Sequence, residues 1–232
     1  YPQSITSDGV ELFSINEFFQ LAVTAEDAGG ARSNSIAGTW ATTANFELLR
    51  LLGGNGEMEH LTDAGERAVA EFNEETMNPT ANCGQLMPPW SMFMPDVKRV
   101  TLAGNTVTII GDYDSASRSI LIDPDPLAEI PVSEQGYAVG HWEGTTLVVR
   151  TTHFAENRMG NGFGVPSSLQ KEVQERFSLS EDGQTISYEM ALTDPVYLSA
   201  PFTGSTEWKA GANLQFRLDD CDLESARTYL QD

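Results

Sequence analysis

Three histidines, two cysteines and an arginine set among aliphatic residues are the side chains of this sequence best suited to chemistry. Two of the histidines, His141 and His153, bracket the run YAVGHWEGTTLVVRTTHF at residues 137–154. Imidazoles that meet in space can bind a metal or pass a proton. Read as a hairpin turning at Glu143-Gly144, the run places His141 opposite Thr146, on the face of Val148 and Arg150. His153 takes the other parity, with Leu147, Val149 and Thr151. Strand alternation then sends the two rings to opposite faces, where they cannot share a metal. His141-Trp142-Glu143 has the His-x-Glu of zinc deaminases, but their Pro-Cys-x-x-Cys is missing. There is no His-Glu-x-x-His, and His60 stands ahead of a helix in an acidic stretch. No metal site is expected. Two roles remain for His141: a ring bonded to backbone beside a packed Trp142, or an acid/base group facing a cavity.

Arg118 precedes Ile120 by two residues and Ile122 by four, so alternation puts its guanidinium on an aliphatic face. If that face is inward, the charge needs a carboxylate, and Asp112, Asp114 and Glu175 are the candidates. The ordinary outcome is a structural ion pair. The alternative is a clamp for a ligand carboxylate or oxyanion, for which the planar fork is suited. Ser91, Ser167 and Ser168 lie in no Gly-x-Ser-x-Gly elbow. GNGFG at 160–164 lacks the Lys-Ser/Thr of a phosphate loop and reads as a mobile loop or lid. GDYDSAS and DPDP lack the EF-hand spacing, which leaves weak calcium binding as the one cofactor reading.

Charge and cysteine content narrow the setting. With 13 basic and 34 acidic residues the net charge is −21, a surface that repels phosphate backbones and anionic lipid. Nucleic acid is therefore not an expected partner, and protein partners are left open. No apolar run approaches the roughly 20 residues of a membrane helix. The first residue is Tyr1 rather than Met, which fits removal of a signal peptide. Cys83 and Cys221 are too far apart for a Cys-x-x-Cys motif. In an oxidising compartment they can pair, and closing so long a loop contributes about 5 kcal/mol in the chain-entropy treatment. In the cytoplasm they would be two small core residues.

The elements that must position these residues differ along the chain. Residues 1–35 read as a helical extension, with a capping box at Ser14 and Glu17. Within a second unit, 36–232, helices are predicted at 45–52 and 63–74. The Pro/Met-rich stretch 78–97, which holds Trp90 and Met92, is a connector expected to lie across one end of the core. From 98 to 221 the apolar period becomes two, with turn signals between segments, which predicts eight or nine strands in an antiparallel meander. Such meanders close into barrels or stack into sandwiches. Ala37-Gly38-Thr39-Trp40 ahead of it is similar to the opening strand of lipocalin-like barrels.

The chain also resembles an uncharacterised group of exported bacterial proteins. Asp114, Arg118, Ile120 and Asp123 match that group's Asp-x-x-x-Arg-x-Ile-Tyr-x-Asp segment. Val139, Gly140, Trp142, Glu143, Gly144 and Thr146 through Val149 match its Val-Gly-x-Trp-Glu-Gly-Asp-Thr-Leu-Val-Val segment, with Thr145 in place of Asp. Glu175-Arg176-Phe177 matches a third. His153 departs from the pattern. The resemblance implies a periplasmic or extracellular location and one β-rich domain, and it implies no reaction.

These readings predict a mainly β protein, a lipocalin-like barrel or half-barrel with two or three short helices. Its expected function is binding an apolar or amphipathic small molecule in the barrel mouth. Arg118 and His141 are the polar anchors there, and Trp142, Trp90 and Met92 line the mouth. One alternative is an acid/base enzyme (lyase, isomerase or hydrolase) with His141 carrying the proton and Arg118 holding an oxyanion. The other is a structural or assembly component of the cell surface.

Overall fold

The computed structural model describes residues 5–7, 10–12, 35–42, 60–113, 115–211, 214–217 and 221–227. The helices expected within 14–30 and at 45–52, and Asp114, lie outside the described residues. Near the N-terminus β1 (Ile5–Ser7) pairs with β2 (Val10–Leu12).

A closed barrel of nine strands forms the body of the protein. Its strands are β3 (Gly38–Thr42), β4 (Val97–Ala103), β5 (Thr106–Gly111), β6 (Ser117–Ile122), β7 (Tyr137–Glu143), β8 (Thr146–Thr152), β11 (Glu172–Leu179), β12 (Thr185–Thr193) and β13 (Phe202–Ala210). A separate hairpin of β9 (Asn157–Gly162) and β10 (Val165–Ser167) follows β8. Alternation from Lys98 onward had predicted the strands, and the pattern is visible in β12, where Ile186, Tyr188, Met190 and Leu192 are buried. The Gly-x-Trp strand closes the ring: β3 lies between β13 and β4, with Trp40 fully buried.

The barrel is mixed rather than wholly antiparallel. Strands β6 and β7 run parallel, with Ile120 opposite Ala138 and Ile122 opposite Gly140. Parallel neighbours need a long return connection, typically of a dozen or more residues. Residues 123–136 supply it, and Pro124, Pro126 and Pro131 keep that stretch from pairing as a further strand. Among the described residues the last strand is β13, which ends at Ala210.

Aromatic rings fill the interior. Phe177, Tyr188 and Trp208 form one cluster, with centroids 4.9 Å apart for Phe177–Tyr188 and 5.5 Å for Phe177–Trp208. The connector plugs one end with α3 (Trp90–Phe93), a single helical turn where irregular chain was expected. Phe93 packs edge-on against Tyr188 at 5.2 Å, and the Trp208 indole donates to the Met92 carbonyl at 3.1 Å. Burying side chains of this size stabilises by roughly 1.5–3 kcal/mol each, which holds the plug inside the ring.

The predicted helix at 63–74 is two elements, α1 (Asp63–Glu71) and α2 (Glu74–Met77). Thr62 caps α1 by accepting from the Gly65 amide. Asn73 then adopts an extended conformation and caps α2 by accepting from Thr76, so its local hydrogen bonding ends one helix and starts the next. Gly65 has no side chain where a Cβ would lie 2.5 Å from the Tyr197 carbonyl, which lets α1 sit close on the barrel's end. A last turn, α4 (Leu223–Ala226), follows the disulfide between Cys83 and Cys221. Among the described residues no helix is long and apolar enough to cross a membrane.

Candidate functional site

The inward face of the barrel carries the polar residue that sequence alternation picked out. Arg118 is 1% exposed, and Glu175 is the carboxylate that meets it. Nη1 donates to Glu175 Oε1 at 2.7 Å, and Nη2 reaches both Glu175 Oε2 and, at 2.6 Å, the Thr151 hydroxyl. Tyr188 donates to the same carboxylate at 2.9 Å. Burial pulls the Arg118 pKa down, but the adjoining Glu175 charge and its hydrogen bonds outweigh that and raise it overall. Burial and the nearby Glu175 push the Tyr188 phenol well above its usual range. The guanidinium is thus held as a buried ion pair through its two terminal nitrogens, while its Nε has no hydrogen-bond partner.

A second buried cluster was not anticipated. Lys171, one residue before β11, is 1% exposed and donates to the carbonyls of Pro88, at 2.6 Å, and Gly160. Its ammonium also stands 4.4 Å from the centre of the Phe154 ring. Burial lowers its pKa to about 7, against the partial opposition of Asp194 and Glu175. Asp194 itself accepts from the Ser168 amide and hydroxyl and from the Asn161 side chain, each at 2.7 Å. Ser168 therefore orients a loop carboxylate. Nothing in the sequence marked Lys171, because a lone lysine beside a strand ordinarily faces solvent.

The histidines lie elsewhere. The hairpin turns at Gly144-Thr145, one residue later than expected, because Gly144 takes the positive φ that the first central turn position demands. Glu143 pairs with Thr146 and His141 with Val148. This slip moves the cross-strand partner by two residues, so parity survives and His141 still shares a face with Val148 and Arg150. That face is the outer one. His141 is half exposed, its Nε2 is 3.4 Å from Glu143 Oε1, and it does not meet Arg118. His153 is off the strand: β8 stops at Thr152, and His153 has φ 56 and stacks edge-on with Tyr137. Trp142 keeps the inward parity but stands at the turn end, 37% exposed. Trp90 and Met92 are buried in the plug, where they pack as core. GNGFG is no lid: it is the end of β9 and its turn into β10, with Met159 through Gly162 buried. Among the described residues no group of three His, Cys, Asp or Glu gathers as metal ligands.

A concavity lies on the outside, across β7, β8, β11 and β12. It has a volume of about 760 Å3, and Val139, Val148 and Ala191 supply its aliphatic part. His141, Arg150, Gln174, Arg176 and Glu189 surround these with polar groups, and Asp123 and Pro124 form one rim. The cations are already paired. Arg150 binds Glu172 through Nε at 2.8 Å and Nη2 at 2.5 Å, and Arg176 binds Glu143 at 2.8 Å. The hydrogen bonds from Arg176 and His141 hold the Glu143 carboxyl below its usual range. That from Arg150 does the same for Glu172. The groove thus offers apolar contact beside a row of fixed, mutually neutralised charges. The sequence matches no protein-family model, no curated protein and no solved structure.

Proposed function

We propose that the protein is an exported binding module whose ligand, an amphipathic small molecule, lies in the outer groove. The observation that carries this reading is the groove itself. Its volume of about 760 Å3 falls within the range of small-molecule sites, and it sets Val139, Val148 and Ala191 beside His141, Arg150 and Arg176. With the interior filled by side chains, the proposed ligand lies against the outer wall rather than in the barrel mouth. His141 stays a ligand-binding residue in this reading, and Arg118 becomes structural. The acid/base alternative loses its support, since His141 and Arg118 stand on opposite faces of one wall. Strand addition to the barrel is disfavoured too, because a closed ring leaves none of its own strands unpaired. Export is supported by the Cys83–Cys221 bridge, by the acidic composition and by the likeness to the exported bacterial group.

Native mass spectrometry of protein purified from its own host tests the reading. A bound mass is expected, lost when Val148→Glu places a charge on the groove's aliphatic strip. A protein that carries nothing, and whose groove amides stay unperturbed by amphipathic probes in NMR, would sink it.

A further inference from the structure

Eleven lysines and arginines fall among the described residues, and nine of them are engaged. Five bind carboxylates. Three bind carbonyl or amide oxygens. Arg99 lies over the Phe216 ring at 4.1 Å. Arg67 and Arg158 are the two that make no hydrogen bond, ion pair or ring contact. In a protein with 34 acidic residues, two guanidinium groups without any such partner stand out. Both line the same cleft, about 290 Å3 in volume, between α1 and the β9–β10 hairpin.

The cleft is built rather than incidental. Ala64, Arg67, Ala68 and Glu71 recur at i, i+3, i+4 and i+7, so they share one face of α1. The two alanines make the hollow, and the long side chains stand at their flanks. Arg158 comes from the hairpin, and Phe72 and Met77 supply apolar surface. Both walls are anchored. Thr62 donates its hydroxyl to Val196 O at 2.7 Å and its amide to Tyr197 O at 3.0 Å, which fixes α1. Phe72 meets Phe163 edge-on at 5.3 Å, which fixes the hairpin against the end of that helix. Preformed walls lower the ordering cost of taking up a ligand.

We infer that this cleft binds a small organic carboxylate, with Arg67 and Arg158 on the oxyanion and the ligand's apolar portion against Phe72 and Met77. Guanidinium forks suit a planar carboxylate, and two lining one cleft offer more donors than one carboxylate needs. Glu71 on the same face sets the charge the site accepts: one negative charge is balanced, and a dianion meets repulsion. The site is separate from the outer groove and stands independently of any ligand there.

Titrating 15N-labelled, disulfide-intact protein with 3-phenylpropionate tests the inference, with phenyl phosphate and 3-phenylpropanol as parallel probes. The carboxylate should shift the amides of residues 64–77 and 158–166 saturably and more tightly than either comparison compound. Arg67→Gln and Arg158→Gln should each weaken it about tenfold, the loss of one charge-assisted contact. Both arginines are exposed, so circular dichroism should show the fold unchanged. Glu71→Gln should tighten the carboxylate by relieving like-charge repulsion. Three results would overturn the proposal: no saturable shift with the carboxylate, equal binding of the alcohol, or shifts that persist in the double arginine variant. Tighter binding of phenyl phosphate would overturn the carboxylate assignment.

Discussion

Arg118 and Lys171 are neighbouring cations, both sealed from solvent, and they keep their place by different means. Arg118 faces a carboxylate in fork geometry, with Thr151 accepting from the same Nη2 and Tyr188 donating to the carboxylate. Lys171 faces two backbone carbonyls and a ring. Carbonyl dipoles satisfy its donors without cancelling its charge, so burial drives its pKa down to about 7 while Arg118 stays firmly charged. Lys98, also buried, is likewise paired with a carboxylate, that of Asp96. The difference teaches that a buried guanidinium, which cannot shed its proton, needs a counter-ion beside it, whereas a buried ammonium can relieve its desolvation by deprotonating.

Removing the counter-ion breaks the comparison most sharply. Glu175→Gln leaves Arg118 charged and uncompensated, and should cost about 3–5 kcal/mol in urea unfolding. Adding Arg118→Met to that variant should recover much of the loss, as a double-mutant cycle would record.

Lys171 predicts a smaller effect with a distinctive pH dependence. Between about 7 and its usual 10.5 the unfolded chain carries a proton on this lysine that the folded protein lacks. Stability therefore rises with pH across that window, and below about 7 the contribution is flat because both states are protonated. The slope should approach about 1.4 kcal/mol per pH unit within that window and should vanish in Lys171→Met, measured by thermal unfolding at stepped pH. Tyr188→Phe removes one of several donors to Glu175 and should cost about 1 kcal/mol. Arg176→Ala opens the exposed pair with Glu143, and the urea midpoint should stay where it was.

The parts legible in the sequence are those that depend on local period. Alternation marked the strands, the inward Arg118 and Glu175 among its three possible partners. The Gly-x-Trp run marked the strand that closes the ring, and the paired cysteines needed only an oxidising setting. The hairpin's parity survived an error in its turn, since a slip at the turn moves the cross-strand partner by two. Whether His141's face was inner or outer is a property of the closed ring, and no window of residues contains it. The parallel β6–β7 pair depends on the long return through 123–136, and the carbonyls that receive Lys171 come from the connector and the hairpin, distant in sequence. Arg67 and Arg158 lie 91 positions apart, and their shared cleft exists only once α1 docks on Tyr197.

The disulfide has a topological meaning beyond its stability. It turns residues 83–221 into one covalent loop that holds eight of the nine barrel strands. The ninth, β3, lies outside that loop and is inserted between β13 and β4. A single backbone cut anywhere inside the loop leaves the eight strands tethered. A cut between residues 43 and 59 would instead turn β3 into a separate peptide, held by its ladder hydrogen bonds and by Trp40. In covalent terms the barrel is an eight-stave ring with a removable ninth stave.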